Sequence, residues 1–305
     1  MALCNICPRN CSVDRRAGRI GACHSPYDFS VSKIMLHEWE EPCLVGESGA
    51  GTVFFSGCNL GCIYCQNKKI SRGGCGEIMT DAELEAAIFS LEERGAACIE
   101  FVTPTHYSDR LCSLLSKIKH RISVPIVWNS GGYESVETLR SLDGLIDIYM
   151  PDFKYFSPEI AKKYSFAEDY CRVALDALRE YVRQVGKPQY DERGKLMHGV
   201  IVRHLILPSH RSDSVKILEL IASEIGAENV ILSLMGQYTP DFYLEESEGA
   251  ETVYKNLCRR ITSFEYDSVL RAAQKLGFDG YFQSLSSASK KYTPDFLISR
   301  TYTSY

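Results

Sequence analysis

The chain has 305 residues, 45% hydrophobic and 24% charged, with a formal net charge of −5 at pH 7. That is enough for one large α/β domain, an appendage and a deep core, with the composition of an ordinary globular protein. The acidic balance argues against wholesale binding to nucleic acid or a membrane surface, and no stretch approaches the roughly 20 apolar residues that span a bilayer.

The chain opens on Met1-Ala2-Leu3-Cys4, without the basic and apolar regions of a secretory signal, so the expected location is cytoplasmic. Thirteen cysteines, an odd number, argue in that setting against a disulfide scaffold. Residues 1–45 carry a first group, Cys4-x2-Cys7-x3-Cys11-x11-Cys23. Segments this dense in thiols seldom fold without metal. A tetrahedral four-cysteine Zn²⁺ site is one reading, an auxiliary [4Fe–4S] cluster for electron relay a second, and free thiols a third. Zinc is preferred, because Pro8 and Arg9 beside the ligands bring nothing specifically redox.

From about residue 52 strand-like runs alternate with helical ones. Thr52-Val53-Phe54-Phe55-Ser56 is the first strand. A helix over 80–94 follows, opened by a Thr80/Glu83 capping box and closed at Gly95. Strands are then expected at 98–103, 125–128, 145–150, 199–207 and 230–235. Helices are expected near 106–120, 134–142 and 167–185 and from Ser212-Asp213 onward. Six β/α repeats with strands this apolar predict a parallel sheet buried on both faces. The expected fold is therefore α/β, a partial (β/α)6 TIM-like barrel over residues 46–240. A doubly wound open sheet is the alternative. Residues 1–45 form a small Cys-rich metal-binding segment and 241–305 a helical and strand extension. The echo of Tyr238-Thr239-Pro240-Asp241-Phe242 at 292–296 is too brief for a structural repeat.

Parallel barrels carry their functional groups at the C-terminal strand ends. Those ends are polar here: Ser56-Gly57-Cys58, Thr103-Pro104-Thr105-His106, Asn129-Ser130-Gly131-Gly132-Tyr133, Pro151-Asp152-Phe153-Lys154, Pro208-Ser209-His210 and Gly236-Gln237-Tyr238. The second cysteine group, Cys58-x3-Cys62-x2-Cys65, begins at the first of them. Three thiolates are one too few to close a [4Fe–4S] cube, and an open metal position is where chemistry occurs. Three legs of a zinc site completed by His24 or Cys75 is the bland alternative. Glycines at 57 and 61 let backbone pass close to a bulky cluster. The remaining six, Cys43, Cys75, Cys98, Cys112, Cys171 and Cys258, are expected to be small buried hydrophobes.

The cysteine loop with Tyr64 resembles that of the radical S-adenosylmethionine (SAM) enzymes. The runs Cys7-Pro8-Arg9-Asn10-Cys11, Gly51–Cys58, Cys65-Gln66-Asn67, Val102–Tyr107, Asp147–Lys154 and Arg203–Pro208 together resemble the PflX-type branch, named for likeness to pyruvate formate-lyase activating enzyme. The resemblance implies that Cys58, Cys62 and Cys65 hold a [4Fe–4S] cluster whose open iron chelates SAM. It implies that Tyr64 lies against the adenine, and that Asp152, Lys154 and His204 contact SAM. Asn129, Ser130, Met150 and Asp152 match a monovalent-cation site, with a neutral amide at 129 where the activases have an acid. The Gly-Gly-Glu that binds the SAM amino group is absent, and Thr103 and Thr105 occupy its place. Gly73–Glu77 precedes the first helix and is no substitute.

The resemblance implies reductive SAM cleavage to a 5′-deoxyadenosyl radical that takes hydrogen from a substrate. The implied partners are a low-potential electron donor of flavodoxin or ferredoxin type and a glycyl-radical enzyme activated at a backbone glycine. A small molecule or another peptide is the alternative substrate. A non-catalytic Fe–S electron-transfer protein explains both cysteine groups but not the polar strand ends. A zinc-dependent nucleic-acid binder fits poorly with the charge. No catalytic side chain beyond the cluster is named, and neither nucleic acid nor membrane is an expected partner.

Overall fold

Six parallel strands lie side by side in the order in which the chain makes them. In the computed structural model, which describes residues 3–72, 74–240 and 254–283, they are β2 (Ala50–Phe55), β4 (Ile99–Val102), β5 (Ile126–Ser130), β6 (Ile148–Pro151), β8 (Leu196–Leu205) and β9 (Ile231–Met235). Their pairing runs β2-β4-β5-β6-β8-β9 with no reversal. A doubly wound sheet reverses its order at a switch point, so the architecture is the partial (β/α)6 barrel.

Further strands extend this core. β1 (Phe29–His37) pairs antiparallel with β2, β3 (Glu77–Met79) pairs with β1, and β10 (Gly280–Phe282) adds to β9 in parallel. β7 (Gln189–Tyr190) forms a short hairpin against the start of β8. The helices are α1 (Pro42–Val45), α2 (Lys68–Ser71), α3 (Asp81–Glu93), α4 (Ser108–Ile118), α5 (Val136–Arg140), α6 (Pro158–Ser165), α7 (Tyr170–Val185), α8 (Arg211–Glu224) and α9 (Ser263–Lys275). α6 is absent from the sequence reading. It starts with Pro158 in its first turn, where the missing N–H costs nothing, and ends at Phe166 in the left-handed region (φ 54°). The run at 292–296 and the end of its first copy, Asp241-Phe242, lie outside the described residues.

Alternation along the strands separates two cores. Val53, Phe55, Phe101, Trp128, Val200 and Leu232 face outward into the main core beneath the helices. Ala50, Cys98, Val127, Ile148, Ile201 and Ile231 face inward. The inward set lies near the N-terminal strand ends, where Cys43 and Leu44 of α1 join it and close the floor of the lumen. Of the six scattered cysteines, Cys43 and Cys98 are buried and Cys112, Cys171 and Cys258 half-buried, but Cys75 is exposed, contrary to expectation.

The capping box forms as the sequence indicates. Thr80 Oγ1 accepts from the Glu83 N–H at 3.2 Å, and Glu83 Oε2 accepts from the Thr80 N–H at 2.8 Å. Thr80→Ala is expected to lower the unfolding free energy by about 1 kcal/mol. Urea unfolding followed by circular dichroism checks this, with Thr80→Ser recovering most of the loss.

Candidate active site at the barrel mouth

β2 runs straight into the cysteine loop, and the N-terminal segment holds the junction. Gly57 has φ +89°, and a Cβ there would lie 1.9 Å from Ser25 Oγ and 2.4 Å from Cys23 O, so only glycine fits. Ser25 Oγ donates to Ser56 O at 2.9 Å, and the Cys58 N–H donates to Cys23 O at 3.2 Å. On the other side the Ile63 N–H donates to Tyr164 O at 2.9 Å. A line of hydroxyls follows: Tyr64 OH meets Tyr155 OH at 2.7 Å, Tyr155 OH meets Ser165 Oγ at 2.6 Å, and Ser165 Oγ donates to Cys62 Sγ at 2.8 Å.

Cys62, Tyr64 and Cys65 line a cavity of about 670 Å³ at the mouth of the lumen. Asn129, Asp152, Lys154 and Arg203 line it too, as do residues 37–42 between β1 and α1 and the end of β10. Arg203 is the hub of its charges. The guanidinium lies 3.4 Å from Asp152 Oδ1 and 3.6 Å from Glu40 Oε2, and its Nη2 donates to Asn129 Oδ1 at 2.6 Å. Asn129 Nδ2 passes the bonding on to Glu100 Oε1 at 2.6 Å, and Thr52 Oγ1 donates to Glu100 Oε2 at 3.0 Å. Lys154 Nζ closes on Asp152 Oδ2 at 2.5 Å.

The titrations follow from these positions. Burial pushes Asp152 up, but Lys154 and Arg203 outweigh it and hold the carboxyl below its usual range. Burial raises Glu40 well above the ordinary carboxylate value, and the nearby Glu100 adds to this. Glu100 is also raised by burial, against the opposing pull of Asn129 and Arg203. Burial lowers Lys154, yet the charges of Asp152 and Cys62 leave it raised overall.

The lumen thus gathers Tyr64, Asn129, Asp152 and Lys154 around two of the three loop cysteines. Ser130 is turned away: its Oγ donates to Glu134 Oε2 at 2.7 Å, on the face that carries Trp128. Met150 faces inward, in the floor cluster. His204 lies on the opposite side of β8 from Arg203, with Nδ1 2.7 Å from Phe153 O and Nε2 buried without a partner. Thr103 takes φ +56°, an outlier for a β-branched residue. Thr105 is buried in the 3-10 turn that precedes α4, and neither threonine lines the cavity. His106 is packed inside with Nε2 2.9 Å from Ser56 O; burial, helped by Arg15, pushes it down to about 3. Arg203 and Glu40 are cavity groups that sequence reasoning missed, as is Glu100, buried behind Asn129 in the same network.

Residues 52–188 match the family profile of the Radical SAM superfamily. The matched stretch runs from β2 through α7 and includes the 58–65 cysteine loop. The chain is also 29% identical over 287 residues to the uncharacterized protein MJ0674 of Methanocaldococcus jannaschii, covering 90% of this chain and 75% of that one. Among solved structures it resembles methylornithine synthase (PylB), with a TM-score of 0.45 and 14% identity over 75% of this chain and 70% of the other.

A radical SAM domain implies a [4Fe–4S] cluster and SAM. The donor set fits that cluster: three thiols on one loop at the mouth of the lumen, of which Cys62 and Cys65 face the cavity. Burial pushes Cys58 up to about 12, and the neighbouring Cys62 and Cys65 add to this. Among the described residues no three His, Cys, Asp or Glu side chains are already drawn together to hold a metal ion. In the N-terminal group Cys7 and Cys23 are buried and Cys4 and Cys11 half-buried. Burial pushes Cys7 up to about 11, and Cys23, Cys4 and Cys11 add to it.

Arg203→Met is expected to destabilise the fold by about 3–5 kcal/mol, because it strands carboxylates in the lumen. Denaturant unfolding measures this. Asp152, with a folded pKa below its unfolded one, contributes stability that is present above the unfolded value and lost as pH falls through the folded value. With Arg203 removed that depression shrinks, so acid unfolding should begin at a higher pH than in the parent chain.

Proposed function

We propose that the chain cleaves SAM reductively at a [4Fe–4S] cluster held by Cys58, Cys62 and Cys65, and that the radical takes hydrogen from a substrate admitted to the lumen. The observation that carries this reading is the convergence of Cys62, Cys65, Tyr64, Asp152 and Lys154 on one cavity at the C-terminal strand ends of a radical SAM domain. When bound, the cluster and SAM supply a 5′-deoxyadenosyl radical. The chain's own part is to place and enclose. Asp152 offers acceptor oxygens suited to ribose hydroxyls and Lys154 an ammonium suited to the SAM carboxylate. The Tyr64 ring is braced edge-on by Tyr155, Tyr164 and Tyr238, which leaves it as a fixed wall for the adenine. Arg203 holds Asp152 and Asn129 in place from beneath. The electron comes from a low-potential donor of flavodoxin or ferredoxin type.

The placements also sort the remaining residues. His204 is assigned to support of the Phe153 carbonyl, between Asp152 and Lys154, rather than to direct contact with SAM. The Asn129 side chain is committed to Arg203 and Glu100, which weighs against a monovalent-cation role with Ser130. The four N-terminal cysteines are read as a metal site, with zinc preferred over a second cluster.

Two substrate classes have separate support. Activation of a glycyl-radical enzyme is carried by the likeness of the Asp152-x-Lys154 and cysteine motifs to those of the activases. A small polar molecule is favoured by the cavity itself, whose volume lies in the range of small-molecule sites and whose wall includes Glu40, Glu41 and His37.

The test is anaerobic reconstitution with iron and sulfide, then reductant and SAM. The expected products are 5′-deoxyadenosine and methionine. Cys62→Ala should abolish them, and Lys154→Met should reduce kcat/KM for SAM cleavage about tenfold, the scale of one charge-assisted hydrogen bond. Absence of SAM cleavage in cluster-loaded protein refutes the proposal and leaves electron transfer as the reading.

A further inference from the structure

Arg9 stands between two cysteines of one thiol group and fastens the loop that carries the other. Its Nε donates to Asn59 O at 2.6 Å and its Nη2 to Leu60 O at 3.4 Å, both inside the turn from Cys58 to Cys62. The same guanidinium donates to Ser165 O at 2.8 Å and to Phe166 O, the carbonyls left over at the end of α6. Its plane lies over Tyr133, 5.2 Å from the ring centre, and Asn59 Nδ2 donates to Tyr133 O at 2.7 Å. A planar fork of five N–H donors can hold four carbonyls in one geometry, which an ammonium cannot do. Ser165 is also the residue whose hydroxyl donates to Cys62 Sγ. Arg9 therefore fixes both the loop and the helix end that braces one of its thiols.

Cys23 makes the second link. Its carbonyl accepts from the Cys58 N–H, and Gly57 passes so close to it that no side chain fits. Ile6, the residue before Cys7, is pinned to α5 by Thr138 Oγ1, which donates to Ile6 O at 2.7 Å. The first thiol group thus reaches residues 57–60 of the second at two points, through Arg9 and through Cys23, while Ile6 is tied to α5.

We propose that Arg9 is a positioning residue for the 58–65 loop, and that through Arg9 and Cys23 the metal held at 4–23 sets that loop for cluster assembly. This rests on the reading of the two thiol groups given under Proposed function. Closing Cys4, Cys7, Cys11 and Cys23 on a metal fixes the backbone on either side of Arg9. Emptying that site releases Arg9, and the Asn59 and Leu60 carbonyls turn to water. Partners that orient metal ligands typically alter affinity 10–100-fold when removed.

The test uses the full chain, reconstituted without oxygen. The measurements are metal content, the rate of iron release to a chelator and the electron paramagnetic resonance spectrum of the reduced protein. A chain with Cys58, Cys62 and Cys65 all changed to Ala reports the metal at 4–23 alone and is subtracted. Arg9→Ala is expected to release cluster iron roughly tenfold faster, to shift the g-values and to keep the metal at 4–23. The double variant Cys7→Ser, Cys11→Ser should lose the N-terminal metal and show the same fast release. An Arg9→Ala chain with parental release rate and spectrum overturns the proposal while the cluster reading stands. If Arg9→Ala does not fold, Arg9→Lys decides: intermediate release supports the proposal and parental release overturns it. A parent chain that assembles no cluster, or a Cys62→Ala chain that assembles it unchanged, removes the site reading itself, whatever Arg9 does.

Discussion

A guanidinium in the lumen holds the polar half of this barrel together. Arg203 touches Asp152, Glu40 and Asn129, and Asn129 carries the network on to Glu100 and Thr52. Taking charges out of water costs several kcal/mol for each ion unless partners and hydrogen bonds offset it. Below this layer the lumen is filled by Ala50, Val127, Ile148, Ile201 and Ile231, which offer no polar partner. The network must therefore close on itself, and it does so only if the strands keep one register. Thr52 lies beside Glu100, Arg203 beside Ser233, and Asp152 bridges to Arg203. A slip of one residue would turn each of these groups out of the lumen.

The order and direction of the six core strands were legible from apolar runs, capping residues and turn glycines. The direction of individual side chains was less so. Val200, Ile201 and Val202 are apolar on both faces, because a parallel sheet inside a ring of helices is buried on both. Nothing in that run tells which of Arg203 and His204 enters the lumen. The resemblance points to His204, whereas the structure sends Arg203 inward. Ser130 points away from the lumen for a related reason: it sits next to Asn129, and neighbours on a strand point apart.

The cysteine groups were legible as two clusters, but not as neighbours. Their contact depends on the return of the N-terminal segment to the barrel mouth, through Arg9 to residues 59–60 and 165–166 and through Cys23 to Cys58. No local pattern encodes such pairings. β1 is likewise absent from the sequence reading. Phe29–His37 lies in the segment grouped with the cysteines, yet it pairs along β2, and its continuation into α1 closes the lumen floor.

The hydroxyl line from Tyr64 through Tyr155 and Ser165 to Cys62 has an electronic side. A hydroxyl proton aimed at sulfur makes negative charge there easier to hold, and each hydroxyl behind it polarises the next. The side chains that wedge the loop into its shape therefore also bias how readily its sulfur accepts electron density. Packing and the ability of the Cys62 sulfur to hold charge are set by the same three residues, so a change made for one alters the other.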